Sequence, residues 1–328
     1  MSGSVVASNK SQALADITLE ISVRGKWIKV PGLDFDGDSL VVHGKLVKVA
    51  NVHDEEWLDH ELKNPELCVQ RLKDYRSHGL SADILTFSQI PPHTAPKYSY
   101  HMESESVAVI LLTSFTGWWE SLPQESRKNV RRAGKRGVTI AVKGIDDDLV
   151  RGIVALNNDS PVRQGRPYAH YGKSFDQVKK DQSAFLDRSD FICAYFGEEL
   201  IGFLKIVYRG ETASILQLTP RASHQDKRPA NALLSKAVEV CAEKGVRCIT
   251  YGKFNYGTRS NSSLLEFKVR NGFQELLMPR YYVPLTSWGR ISLSTNLHRG
   301  VQGLFPKIVL AAAINLRARW YNQNVKPV

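Results

Sequence analysis

The spacing of apolar positions changes several times along the chain, and each change marks an element. Between Asp16 and Ala50, apolar and polar residues alternate in ITLEISV, GKWIKV and SLVVHGKLVKVA, with GLDFDGD as a turn. That pattern predicts hairpins of an antiparallel sheet. Residues 53–79 read as helix, with Trp57, Leu58, Leu62, Leu67, Val69 and Leu72 as its apolar positions and a break near Pro65. ADILTFSQ predicts a buried strand, and SYHMESESVAVILL another whose second half is the stronger. A helix is predicted from about Pro123 to Lys135.

From Val138 the pattern becomes regular. VTIAV, FICAYFG, ELIGFLKIVYRG, ASILQL, VRCITY and FQELLMPRYYVPLT predict strands, and DDDLVRGIVALNNDS, SFDQVKKDQSAFLDRS, ANALLSKAVEVCAEKG and NSSLLEFKVRNG predict helices. The order is β-α-α-β-β-β-α-β-α-β. The third of these helices is the best marked: Pro229 suits its first position, Leu233, Leu234, Ala237, Val238 and Cys241 recur at helical spacing, and Gly245 suits a left-handed cap. Before it lies a loop with Arg221, His224, Lys227 and Arg228. A helix N-terminus offers unpaired N–H groups and a positive dipole end, so a basic loop feeding it suits a phosphate; an ordinary connection with solvated charges is the alternative.

The expected organisation is a disordered tail over 1–14, an N-terminal α/β module over 15–136, a main domain over 137–290 and a helical tail over 291–328. Its 328 residues, 42% of them hydrophobic, suffice for two globular domains. Cys68, Cys193, Cys241 and Cys248 have no CxxC spacing and read as buried thiols, implying neither a metal nor a disulfide framework. The start of the chain lacks an apolar leader core, and the apolar run Ile308–Ile314 is too short to cross a bilayer, so a cytoplasmic protein with no transmembrane segment is expected. The oligomeric state stays open.

A net charge of +11 favours an anionic partner without choosing one. Much of it is concentrated in the helix Arg127–Arg136, where Arg127, Arg131 and Lys135 share a face beside Lys128 and Arg132. Such a face meets a bound anion, tRNA among the candidates, or it is merely solvated.

The element order over 138–286, with a phosphate-suited loop before the third helix, resembles the GNAT acyltransferase fold. SRKNVRRAGKRGVTI upstream, and Phe267, Lys268, Gly272 and Phe273 downstream, make it similar to the FemAB-related branch of that superfamily. The resemblance implies the α/β (α+β) class, with a GNAT-like mixed central sheet flanked by helices. It also implies an N-acyltransferase moving an acyl group from an acyl-CoA, acetyl-CoA included, to an amine: a small molecule, an amino sugar or a cell-envelope precursor. A FemAB-like aminoacyl-tRNA donor is the alternative, and a catalytically silent binding protein a third reading. RASHQDKRPAN lacks the glycine-bearing acetyl-CoA signature, which leaves the donor open.

Acyl transfer to an amine needs a base, a positioned carbonyl and donors to its oxyanion. The resemblance places the loop Asp159–Lys173 over the acceptor, with Arg163, Gln164, Arg166, Tyr168 and Lys173 as substrate contacts and His170 as base, Tyr171 beside it. Tyr256 is the candidate acid, while Tyr251 and Lys253 on TYGKFNYG join the substrate side. Gln217, His224, Lys227, Arg228 and Asn231 are the candidate donor contacts. No metal is implied.

Overall fold

The computed structural model describes residues 16–23, 26–163, 166–255 and 263–300, together with 312 and 316. The expected tail 1–14, Gln164, Tyr256 and most of the expected C-terminal helix lie outside the described residues, as does the side chain of Arg166. The chain divides into two compact units.

The first unit takes the chain through His53, then Leu62–Phe87 and Val283–His298. Strands β1 (Asp16–Val23), β2 (Lys26–Phe35), β3 (Asp38–His43) and β4 (Val49–Val52) form an antiparallel meander. Helix α1 (Pro65–Asp74) then crosses to β5 (Ile84–Ser88), which pairs in parallel with β4. Only the part of 53–79 from Pro65 onward begins as an α-helix, because Asn64 caps it by accepting from the Leu67 N–H and Pro65 fixes its first turn.

The second unit joins Asp54–Glu61 to Ser88–Tyr282 and reaches well upstream of the expected boundary at 137. In chain order it contains β6 (His101–Leu111), α2 (Phe115–Ser121), α3 (Gln124–Lys135), β7 (Val138–Lys143) and α4 (Asp147–Asn157). Two short strands, β8 (Val162–Arg163) and β9 (Arg166–Pro167), precede α5 (Phe175–Gln182). Then follow β10 (Ser189–Phe196), β11 (Glu199–Arg209), β12 (Thr212–Pro220), α6 (Pro229–Glu243), β13 (Cys248–Lys253), α7 (Ser263–Arg270) and β14 (Gln274–Pro284). Helix α8 (Ser287–Ser294) belongs to the first unit. The order expected from Val138 onward is observed, whereas α2 was not expected.

The strands of this unit lie in the order β14-β6-β13-β12-β11-β10-β7. All neighbours are antiparallel except β12 and β13. β6 sits between β13 and β14 because its apolar stretch Ala108–Ile110 fits a strand buried on both sides. One face is covered by α2, α3 and α6, whose Trp118, Ala133, Leu233, Leu234, Ala237 and Val238 pack on Ile192, Leu204, Ile206 and Ala213. On the other face, α4 and α5 pack Leu149, Val150, Ile153, Leu156 and Val178 on Phe191, Cys193 and Phe203. Gly245 ends α6 at φ 74°, the left-handed conformation its position demands.

Candidate active site

The parallel pair β12 and β13 is joined only at Thr212↔Cys248, Ala213↔Ile249 and Ser214↔Thr250. Beyond Ser214 the strands share no further pair. β12 also carries a bulge: Ile215 and Gln217 oppose the consecutive residues Ile206 and Lys205, which leaves Leu216 as the extra residue. A bulge next to a parting pair exposes backbone N–H groups that no ladder uses, and such groups can hold a carbonyl oxygen as it gains charge.

Lys268 braces this place. It is 1% exposed and its Nζ donates to the carbonyls of Tyr251 and Lys253, both at 2.7 Å, while lying 4.6 Å from the centre of the Tyr251 ring. Burial pulls its pKa down to about 8. Lys205 does similar work on α5, donating to the carbonyls of Gln182 at 2.7 Å and Ala184 at 2.6 Å, and burial lowers its pKa to about 8 as well. Gln182 in turn donates to Gln217 at 2.9 Å, so the end of α5 is fastened to β12 beside the bulge.

A cavity of about 90 Å³ opens at the parting, with Ser214, Ile215, Thr250, Gly252 and Lys253 on its strand side. Its charged wall is Glu55, Glu56, Glu105, Arg209, Lys253 and Arg280. Arg280 donates from Nε to Glu105 at 2.7 Å and from Nη2 to Glu55 at 3.0 Å, and Lys253 Nζ stands 2.9 Å from Glu105. Burial opposes the charge of Arg280, but the two carboxylates outweigh it and hold its pKa above the ordinary arginine value. Arg209, 6% exposed, donates through Nη1 to the Leu58 carbonyl, and its buried Nε has no partner among the described residues. Of this wall only Lys253 was expected from the sequence.

The other expected residues fall into three groups. On the α4/α5 face, Arg163 donates to the carbonyls of Pro220 and Leu156 and stacks 4.4 Å from the Tyr168 ring, whose hydroxyl donates to Asn157 at 3.1 Å. Those two side chains anchor the loop. Lys173 Nζ stands 2.5 Å from Asp181, and His170 Nδ1 3.7 Å from the same carboxylate, while Tyr171 is 39% exposed. Around the loop before α6, the basic charge is answered locally: His224 and Arg221 pair with Glu199, and Lys227 and Arg136 with Asp226. Arg228 enters the left-handed region at φ 59° and, with Asn231 and Arg270, lines a second cavity of about 160 Å³ at the N-terminus of α6. Tyr251 contributes its carbonyl and ring to Lys268 rather than its hydroxyl to the cavity.

All four cysteines are free and buried. Burial pushes Cys68 and Cys241 up to about 12, and Cys193 and Cys248 up to about 11, so none supplies a thiolate nucleophile near neutral pH. Among the described residues no group of three or more His, Cys, Asp or Glu side chains gathers where it can hold a metal ion, and no helix is long and apolar enough to cross a membrane.

No family model and no curated protein matches the sequence. Solved structures do match the fold. The C-terminal DUF2156 domain of a lysylphosphatidylglycerol synthetase-type protein from Agrobacterium fabrum shares 14% identity at a TM-score of 0.51, over 79% of this chain and 85% of that one. FemX shares 10% at 0.51, over 84% and 89%, and L-PGS from Bacillus licheniformis 12% at 0.51, over 86% and 88%. The chain shares its fold with these structures: a mixed sheet flanked by helices.

Proposed function

We propose that the protein is an N-acyltransferase that takes an acyl group from an acyl-CoA-type thioester and delivers it to an amine. The parting of β12 and β13 beside the Leu216 bulge carries this reading, because it leaves room for an acyl carbonyl next to unladdered backbone N–H groups. The donor's phosphates lie at the N-terminus of α6, where Arg228 and Asn231 line a polar cavity. The acceptor, a small molecule or an envelope precursor, approaches from the α4/α5 side, past the loop with His170, Tyr171 and Lys173.

A second donor, aminoacyl-tRNA, is favoured by α3. Arg127, Lys128 and Lys135 make no ion pair among the described residues, and Lys128 and Lys135 are exposed.

Calorimetric titration with acetyl-CoA and with charged tRNA tests the proposal and chooses between donors. Lys227→Ala combined with Arg228→Gly, the latter tolerating φ 59°, should weaken binding of the preferred donor by about 10-fold as charge-assisted hydrogen bonds are lost. Failure of the wild-type protein to bind either donor, or to acylate any amine, rejects the transferase reading.

A further inference from the structure

Three carboxylates, those of Glu55, Glu56 and Glu105, line the cavity at the parting of β12 and β13; Glu55 and Glu105 share Arg280, and their surroundings are unequal. Glu105 has a cation on each oxygen: Oε2 accepts from Arg280 Nε at 2.7 Å, and Oε1 stands 2.9 Å from Lys253 Nζ. Among the described residues Glu55 has one cation. Its Oε2 accepts from Arg280 Nη2 at 3.0 Å, while Oε1 accepts from the neutral backbone N–H of Ser88 at 2.6 Å. Burial accordingly wins at Glu55 and raises its pKa, although Arg280 and Ser88 pull the other way. At Glu105 burial also raises, but Arg280 and Lys253 together outweigh it and leave the pKa below the ordinary value. Environments that push two neighbouring carboxyls apart distinguish a permanent anion from a proton carrier.

We propose that Glu55 takes the proton from the acceptor's ammonium group, and that the cavity it lines is the acceptor subsite. This rests on the reading of the protein as an N-acyltransferase. The ammonium gives one proton to the Glu55 carboxylate. Its freed nitrogen pair forms the C–N bond at the donor carbonyl, whose π pair moves onto oxygen. On collapse the bond from carbon to the carrier's sulfur or oxygen breaks and that pair leaves with the carrier. The leaving atom receives the second proton of the nitrogen, and Glu55 returns the first to water. Arg280 and Glu105 act on this step through Glu55: Arg280 fixes one of its oxygens, and Glu105, already paired on both sides, keeps Arg280 in place.

His170 is the residue the sequence singles out for the same task. It does not line the cavity, and it stands 3.7 Å from the carboxylate of Asp181. The charged and titratable groups that face Glu55 are Arg280 on β14, Glu105 on β6, Lys253 on β13 and Arg209 on β11, with Glu56 and His60 from its own segment. His60 is bonded to Asp59 at 2.8 Å, and His60→Gln serves as the control for its titration.

Glu55→Ala removes the carboxylate and leaves space that formate can occupy. The expected result is a kcat about 10²-fold lower, loss of the acid limb from the pH profile, and a rate restored in proportion to added formate. His60→Gln and His170→Ala should keep the acid limb. A Glu55→Ala protein with native melting temperature that turns over at the wild-type rate overturns the proposal, as does a loss that formate leaves untouched. A second measurement needs no donor: calorimetric binding of n-propylamine, which Glu55→Gln should weaken about 10-fold as an ammonium–carboxylate pair is lost. Equal binding by the two proteins, or none by either, overturns the acceptor subsite. Because this arm reads the cavity alone, it separates failure at Glu55 from failure of the transferase reading.

Discussion

Lys205 stands wholly buried in β11, and burial pulls its pKa from the ordinary 10.5 down to about 8. A depression of about 2.5, at ~1.4 kcal/mol for each, means that folding disfavours the charged form by ~3 kcal/mol. Below pH 8 the lysine is charged in both states, and the fold carries that penalty in full. Between pH 8 and 10.5 only the unfolded chain holds the proton, so stability rises with pH across that window and levels off above it. Opposing the penalty are the two hydrogen bonds to the carbonyls of Gln182 and Ala184, worth ~1–1.5 kcal/mol each. Lys205→Met keeps the apolar stem and removes the charge with both donors. The two proteins should therefore lie within ~1 kcal/mol of each other at pH 7, the penalty and the bonds nearly cancelling. At pH 10.5 the neutral amine still donates, and the wild type should be ~3 kcal/mol the more stable. Urea unfolding of both proteins in parallel from pH 7 to 10.5 reads this, since every other titrating group cancels in the difference. A difference that stays constant with pH refutes the assignment of a desolvated ammonium at this position. A variant far less stable at pH 7 means that the carbonyl bonds outweigh the burial of the charge.

Two further outcomes follow from close contacts and from charge. Gly289→Ala should cost ~2–3 kcal/mol, read as a lower melting temperature, because a Cβ there would meet the backbone carbonyl oxygen of Asp83 at 2.0 Å, which no side-chain rotation can relieve. If α3 contacts tRNA, affinity should fall steeply with salt, and Lys128→Ala with Lys135→Ala should make the log–log slope shallower by roughly 1.5, whereas an unchanged slope removes α3 from the interface.

The fold was legible where hydrophobic periodicity is strong and local. Gly245 at φ 74° and Pro229 at the head of α6 show how a few residues delimit an element unaided. The region around Glu55 was not legible, because its alternation imitates a helix. The carboxylates of Glu55 and Glu61 instead accept from the backbone N–H groups of Ser88 and Ile90, bonds that bring together residues about thirty apart in the chain. Charge was harder to read. Lys227 and His224 suggested an open phosphate cradle, and Asp226 in the same loop and Glu199 at the start of β11 pair with them and offset part of that charge. The cavity wall escaped notice for a third reason. Glu105 looks like any polar position of an amphipathic strand, and Arg280 like a break in one. Only the pairing of β14 with β6, where Met278 stands opposite Glu105 and Arg280 opposite Glu103, sets this arginine beside that glutamate. One local signal was available. A lysine inside GFLKIVY and an arginine at the end of the same strand contradict the apolar pattern around them, and a charge that breaks a buried pattern has to be held by something. Here Lys205 is held by the carbonyls at the end of α5, while Arg209 borders the cavity where Glu55 waits. Interior charges in otherwise apolar strands were thus a better guide to this site than the exposed basic runs that dominate the composition.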